Sequence, residues 1–313
     1  MIASNAAPTI APAVHRDLAR AITAVENGRP DARAAAGLLG PDDGDAANRF
    51  VIGITGPPGA GKSTLVDRLI EHFRTAGQTV AVIAVDPSSP FTNGAVLGDR
   101  VRMQRHAEDF GVFIRSMASR EGGGGLAPAT REAVALAQRA RFDVVIVETV
   151  GVGQVELEVV AVADVVVVVT VPALGDGVQT IKAGLTEIAD IFVVNMADRP
   201  GANRTALDLR QMVRESARAV PVLKTIASDG TGVDALVQAL ASARTDVHSN
   251  AARSVRFDVI RIAREAAARR AVEILESSDG RAILAQLDAG TMSREAGSRL
   301  LLGFILGGDE HAD

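Results

Sequence analysis

Six short runs in which nearly every residue is apolar constrain this chain more than any other feature: FVIGIT (50–55), TVAVIAV (79–85), FDVVIVET (142–149), DVVVVVTV (164–171), DIFVVNMA (190–197) and PVLKTIA (221–227). A strand with one solvated face alternates apolar and polar residues, whereas a strand covered on both faces has no reason to. Consecutive Val and Ile therefore predict a buried parallel sheet, and the segments between the runs are long enough for crossover helices. STLVDRLIEHF places Leu65, Leu69 and Phe73 on one stripe with charges opposite, and GVDALVQALASA does the same with Val233, Leu236, Val237 and Leu240. The pattern predicts an α/β fold with a doubly wound, mostly parallel sheet over residues 49–245.

Outside that span the character changes. Residues 14–38 are Ala-rich, with Leu18, Ile22 and Val25 spaced for an amphipathic helix, and 255–275 carry a second long helical pattern followed by SREAGSRLLLGFIL. The expected organisation is an N-terminal helical arm (1–48), the α/β domain (49–245) and a C-terminal helical arm (246–313). Neither arm can make a core alone, so each must pack on the central domain or on another copy of the chain.

Composition narrows the setting. With 313 residues, 47% of them hydrophobic, the chain can bury a proper core, and with no cysteine it can form neither disulfides nor thiolate metal sites. A net charge of −5 supplies no broad basic field for a nucleic-acid backbone. No N-terminal export signal is visible, and the most apolar window, Val159 to Leu174, is broken by Asp164 and is shorter than the roughly 20 residues that span a bilayer. A soluble, cytoplasmic protein with no membrane or nucleic-acid partner is the expectation.

The chemistry concentrates after the first apolar run, where GITGPPGAGKST contains Gly56-x-x-x-x-Gly61-Lys62-Ser63 between a predicted strand and a predicted helix. That context marks a phosphate-binding P-loop. Gly56, Gly59 and Gly61, with Pro57, Pro58 and Ala60, shape a turn whose backbone N–H groups converge on an anion, and the helix N-terminus adds its positive end. Lys62 neutralises the terminal phosphates, Ser63 offers a hydroxyl to Mg²⁺, and Thr64 completes the first turn. A nucleoside triphosphatase also needs carboxylates near the metal. Glu148 ends the third run and precedes Gly151, whose N–H can face the terminal phosphate; Asp86 follows the second run and Asp99 lies in GAVLGDRVRM. VVNMAD ends the fifth run with Asn195-x-x-Asp198, and a carboxylate at Asp198 accepts from both N1–H and the 2-amino group of guanine, which adenine cannot match. Met196 stands where a guanine-binding motif carries lysine, and TIAS (225–228), including Ala227, supplies backbone contacts to guanine O6.

Together GITGPPGAGKSTLVDRLI, VAVDPSSPFTNGAVLGDRVRM, FIRSMASREGGGGLA, VETVGVGQVE and GDGVQTIKAG resemble the MeaB/ArgK family of P-loop GTPases, of the SIMIBI class, over nearly the whole chain. The resemblance implies binding of GTP/GDP with Mg²⁺, metal or catalytic roles for Lys62, Ser63, Asp86, Asp99 and Glu148, and base recognition by Asn195 and Asp198. It also implies a third switch segment in which Gln179 and Lys182 relay the nucleotide state to a partner, and a homodimer built on the C-terminal helices. The partner it implies is an adenosylcobalamin-dependent methylmalonyl-CoA mutase or related acyl-CoA mutase, whose cofactor loading and protection the GTPase would serve as a chaperone. Two other classes share the P-loop: a protein kinase of an amino-acid transport system, a label attached to the ArgK branch, and a metal-insertion GTPase. The latter is weakened by the missing cysteines and by His15, His72, His106, His248 and His311, which form no ligand pair at useful spacing.

Overall fold

The apolar runs become parallel strands of one sheet: β1 (Phe50–Thr55), β2 (Val80–Pro87), β3 (Val112–Ser119), β4 (Val144–Thr149), β5 (Val165–Thr170), β6 (Ile191–Val194) and β7 (Val222–Lys224). Their spatial order is β3-β2-β4-β1-β5-β6-β7. This computed structural model describes residues 8–29, 37, 49–87, 104–119, 128–149, 159–172, 188–214, 219–244, 259, 262–263 and 266–306. Every residue of β1, β4, β5 and β6 is buried, as continuous Val/Ile runs require. Strand β3 had no counterpart among the six runs. It is an edge strand, and its Arg115 and Ser116 interrupt the apolar pattern. Strand β2 also runs further than its apolar run, because Asp86 and Pro87 pair with Ala118 and Ser119 of β3, so Asp86 lies within a strand rather than after one.

Helix α1 spans Pro12–Glu26, α2 Lys62–Thr75, α3 Pro128–Arg139, α4 Ala202–Arg214 and α5 Val233–Arg244. The stripe Leu65, Val66, Leu69, Ile70 and Phe73 of α2 joins Val233, Leu236 and Leu240 of α5 and Ile52, Ile54, Ile146 and Val167 of the sheet in one core. Each such side chain contributes about 1.5–3 kcal/mol on burial. Helix α1 packs on α3 and β3, with Leu18, Ala21 and Ile22 fully buried, and its Glu26 pairs with Arg115. The N-terminal segment is strapped down by Arg74. Its guanidinium donates to both carboxylate oxygens of Asp109 at 2.8 and 2.9 Å and to the carbonyls of Pro8 and Gln78, each at 2.9 Å.

The sheet is stapled at the N-terminal ends of its strands. Asp143, Asp164 and Asp190 each accept a backbone N–H from a neighbouring segment: Thr79 at 2.7 Å, Val51 at 2.7 Å and Val166 at 2.8 Å. Burial pushes the Asp164 carboxyl above the ordinary carboxylate range, against the opposing pull of the Val51 N–H and Arg244. A short helical turn, Val159–Ala161, lies directly on β1, where a Cβ at Gly53 would approach Val159 Cγ2 to 2.4 Å. Only a residue without a side chain lets the turn sit there.

The chain divides into two compact units, Met1–Ser254 and Val255–Asp313. In the second, residues 266–276 are helical, followed by α6 (Ser278–Asp288) and α7 (Arg294–Leu306). Ser277 caps α6, accepting from the Gly280 N–H at 3.3 Å, while its own hydroxyl donates to the Ile274 carbonyl at 2.6 Å. Large apolar side chains here stay exposed, among them Val272, Leu300, Leu302 and Phe304. Among the described residues no helix is long and apolar enough to cross a membrane.

Candidate nucleotide site

Strand β1 occupies the middle of the sheet, so the loop leaving its C-terminal end opens between β4 and β5. Backbone strain shows that this loop was built around glycine. Gly56 has φ 138°, and a Cβ there would lie 1.9 Å from the Val169 carbonyl oxygen; Gly61, the residue preceding α2, has φ 81°. Pro58 and Gly59 stand exposed at the tip and Ala60 is buried beneath it. Lys62, 6% exposed, turns its ammonium back across the loop and donates to the Gly56 carbonyl at 2.8 Å and the Pro57 carbonyl at 3.0 Å. A buried ammonium held by loop carbonyls beside a helix N-terminus is a positive centre suited to a polyphosphate. Thr64, half buried, continues the first turn.

The carboxylate that the sequence placed at the end of β4 meets the loop. Glu148 lies level with Ile54 of β1 and Ala84 of β2, and its Oε1 accepts from the Ser63 hydroxyl at 2.7 Å with both residues buried. Next to it the Thr149 hydroxyl donates to Thr55 Oγ1 at 2.9 Å, tying β4 to the residue that enters the loop. One hydroxyl and one carboxylate oxygen form a hard donor set. It fits Mg²⁺, which takes few protein ligands and leaves its other positions to phosphate and water. The main chain of Asp86 lies one position beyond the Val85–Thr149 pair, on the strand beside β4. Its side chain, together with Asp99, Gly151, Gln179 and Lys182, lies outside the described residues.

Asn195 joins the phosphate side to the opposite end of the site. Buried to 2% exposure, it donates from Nδ2 to the Ala60 carbonyl at 2.9 Å, while Oδ1 accepts from the Thr225 hydroxyl and the Ala227 N–H, both at 3.0 Å. The side chain is thus a strut between the P-loop and the loop after β7. The Ala227 N–H, read from the sequence as a contact to guanine, is spent on that strut. Met196 has φ 54°, and its terminal methyl lies 3.7 Å from where a Cβ on Gly61 would be, so the side chain that replaces the usual lysine lies against the P-loop. Asp198 is exposed on the turn that follows.

Two further side-chain roles enter that the motifs did not reveal. Thr225 is fully buried and bonds Asn195, and Arg68 of α2 donates from Nε to the Ala227 carbonyl at 3.0 Å and from Nη2 to the Ser228 carbonyl at 2.5 Å. In sequence Arg68 is one charge among several on the polar face of a helix. No local signal distinguishes it.

Comparison with known proteins agrees with this geometry. The family described as Methylmalonyl Co-A mutase-associated GTPase MeaB matches residues 18–276. A Pyrococcus abyssi protein described as a GTPase is 55% identical over 228 residues, 71% of this chain and 69% of its own length. The Escherichia coli GTPase ArgK is 43% identical over 201 residues, 64% of this chain and 60% of its own. A fused isobutyryl-CoA mutase of Cupriavidus metallidurans is 38% identical over 249 residues, 75% of this chain but 22% of that much longer polypeptide. The crystal structure of a LAO/AO transport system kinase superposes with a TM-score of 0.69 at 28% identity, covering 94% of this chain and 95% of the other. Phosphate loop, buried hydroxyl–carboxylate pair and family match point one way: the chain is a P-loop GTPase and belongs to the methylmalonyl-CoA mutase-associated GTPase (MeaB) family.

Proposed function

We propose that this GTPase serves as the nucleotide-driven chaperone of an adenosylcobalamin-dependent acyl-CoA mutase, gating loading of the cofactor and protecting or reactivating the enzyme. The observation that carries this reading is the fused isobutyryl-CoA mutase, in which a region 38% identical to this chain makes up part of a mutase polypeptide. Two proteins that work as a pair are commonly joined in one chain elsewhere, because fusion raises the effective concentration of each for the other.

In this reading Gly56, Pro57, Pro58, Gly59, Ala60, Gly61 and Thr64 surround the phosphates and Lys62 balances their charge. Ser63 and Glu148, with Asp86 and Asp99, hold Mg²⁺, which when bound neutralises charge on the phosphate oxygens. Asp198 takes the guanine N1–H and 2-amino group, with Asn195 and Ala227 shaping the pocket behind it. Gly151 faces the terminal phosphate, and Gln179 and Lys182 carry the nucleotide state to the partner. The exposed Val272, Leu300, Leu302 and Phe304 support a homodimer through the C-terminal unit, an arrangement that sedimentation of the full chain would reveal.

The deciding experiment mixes the purified protein with methylmalonyl-CoA or isobutyryl-CoA mutase and measures both association and GTP turnover. Hydrolysis is expected to be slow alone and faster in the complex; no association and an unchanged rate with either mutase would refute the reading. Asp198→Asn tests the base pocket: preference should move from GTP toward xanthosine triphosphate, since an amide donates where a carboxylate only accepts. The likeness to a transport system kinase favours a second reading, protein phosphorylation. Recovery of the labelled γ-phosphate on a protein acceptor, rather than as inorganic phosphate, would establish it.

A further inference from the structure

The loop after β7 is gripped from two sides. Asn195 takes the Ala227 N–H, and Arg68 takes the next two carbonyls, those of Ala227 and Ser228. A trans peptide is planar with its C=O and N–H pointing in opposite directions. Once Arg68 has drawn the Ala227 carbonyl toward α2, the N–H of Ser228 in the same peptide is turned away from α2. The neighbouring amides are engaged: Asp229 and Gly230 both donate to the Ile226 carbonyl, at 3.2 and 3.0 Å, and Thr231 donates to the Asp229 carboxylate at 2.8 Å. Ser228, itself exposed, carries the amide that the loop leaves facing outward.

We propose that Arg68 is a positioning residue for guanine selectivity, and that the donor it presents to the oxygen at position 6 of the base is the Ser228 N–H rather than that of Ala227. This rests on the reading of residues 225–228 as the base-facing loop. The guanidinium is well suited to the task because its planar fork binds two acceptors at a fixed angle, which a lysine ammonium does not. Its orientation is in turn fixed by Glu71, which accepts from Arg68 Nη1 at 2.9 Å and also pairs with Arg105 Nη1 at 2.5 Å. Arg105 is held by Asp67, which also bonds His106 at 2.8 Å. Arg68 thus sits at the end of a braced row of alternating charges along one face of α2, and Glu71 is a second positioning residue acting through it.

The experiment compares equilibrium binding of GTP with that of 6-thio-GTP in the presence of Mg²⁺. The sulfur analogue keeps the N1–H and 2-amino group that face Asp198 and replaces only the oxygen acceptor with a poor one. The wild-type protein should prefer GTP by about tenfold, the order of one hydrogen bond to a charged or well-placed partner. Arg68→Ala should lose most of that preference by weakening GTP alone, Arg68→Lys should restore little of it, and Glu71→Gln should give an intermediate ratio. A variant that keeps the wild-type ratio, or that weakens both nucleotides equally, overturns the role given to Arg68. If the wild-type protein itself fails to discriminate, the base-facing reading of the loop falls and this proposal with it. Should Arg68→Ala not fold, the ratio for Glu71→Gln decides the matter.

Discussion

Asn195 is the residue for which a direct base contact and an internal strut make different predictions. Asn195→Ala removes three hydrogen bonds and leaves the Ala60 carbonyl, the Thr225 hydroxyl and the Ala227 N–H behind, in residues that are at most 3% exposed. At about 1 kcal/mol for each lost bond, the variant should be less stable by roughly 3 kcal/mol, more where water cannot reach the orphaned groups. For a unit of this size that corresponds to a fall in Tm of roughly 6–12 °C. The assay is thermal unfolding in buffer containing neither nucleotide nor Mg²⁺, so that lost ligand affinity cannot contribute. Asn195→Asp sharpens it. The second carboxylate oxygen would face the Ala60 carbonyl oxygen, so this nearly isosteric variant should melt below Asn195→Ala at neutral pH and recover as acid protonates it. An Asn195→Ala protein that melts within about 2 °C of the wild type would refute the strut and return Asn195 to a purely ligand-facing role.

Gly111→Ala should break the strap over the N-terminal segment, because the new methyl would lie 2.0 Å from Arg74 Cζ and displace the guanidinium from Asp109. A loss of about 1–3 kcal/mol in urea unfolding is expected, and proteolysis should begin near residues 8–11. Asp164 sets a pH dependence with a definite sign. Its folded-state pKa is raised, so its contribution is complete below the ordinary carboxylate value of about 3.9 and is lost as pH rises through the folded value. Asp164→Asn should therefore gain on the wild type as pH increases across that window; a difference that is flat with pH, or that runs the other way, would contradict the assignment.

What the sequence disclosed and what it hid follow from how local each signal is. The covered strands were legible because burial on both faces writes itself as consecutive Val and Ile, and the P-loop because its glycines answer a backbone demand seen directly at Gly56 and Gly61. Glu148 could be placed because a strand end is a defined position. Strand β3 was missed because an edge strand tolerates Arg115, whose charge is met by Glu26, almost ninety residues away in the chain. The Asp143, Asp164 and Asp190 staples were invisible for the same reason: an aspartate before an apolar run looks like a turn residue until its partner strand is known. Arg68 and Thr225 act through contacts that only the assembled site creates.

The central place of β1 also governs the order in which the molecule can be assembled at the ribosome. Its two partners, β4 and β5, are encoded on the order of a hundred residues downstream. At 5–20 residues per second, the first strand waits roughly 5–20 s for its neighbours to be synthesised. During that interval the nascent chain carries a stretch of bare Ile and Val with no sheet to join. Nucleotide cannot template the early steps, because the wall that gives the P-loop its shape, including the Val169 carbonyl packed against Gly56, has not yet been made.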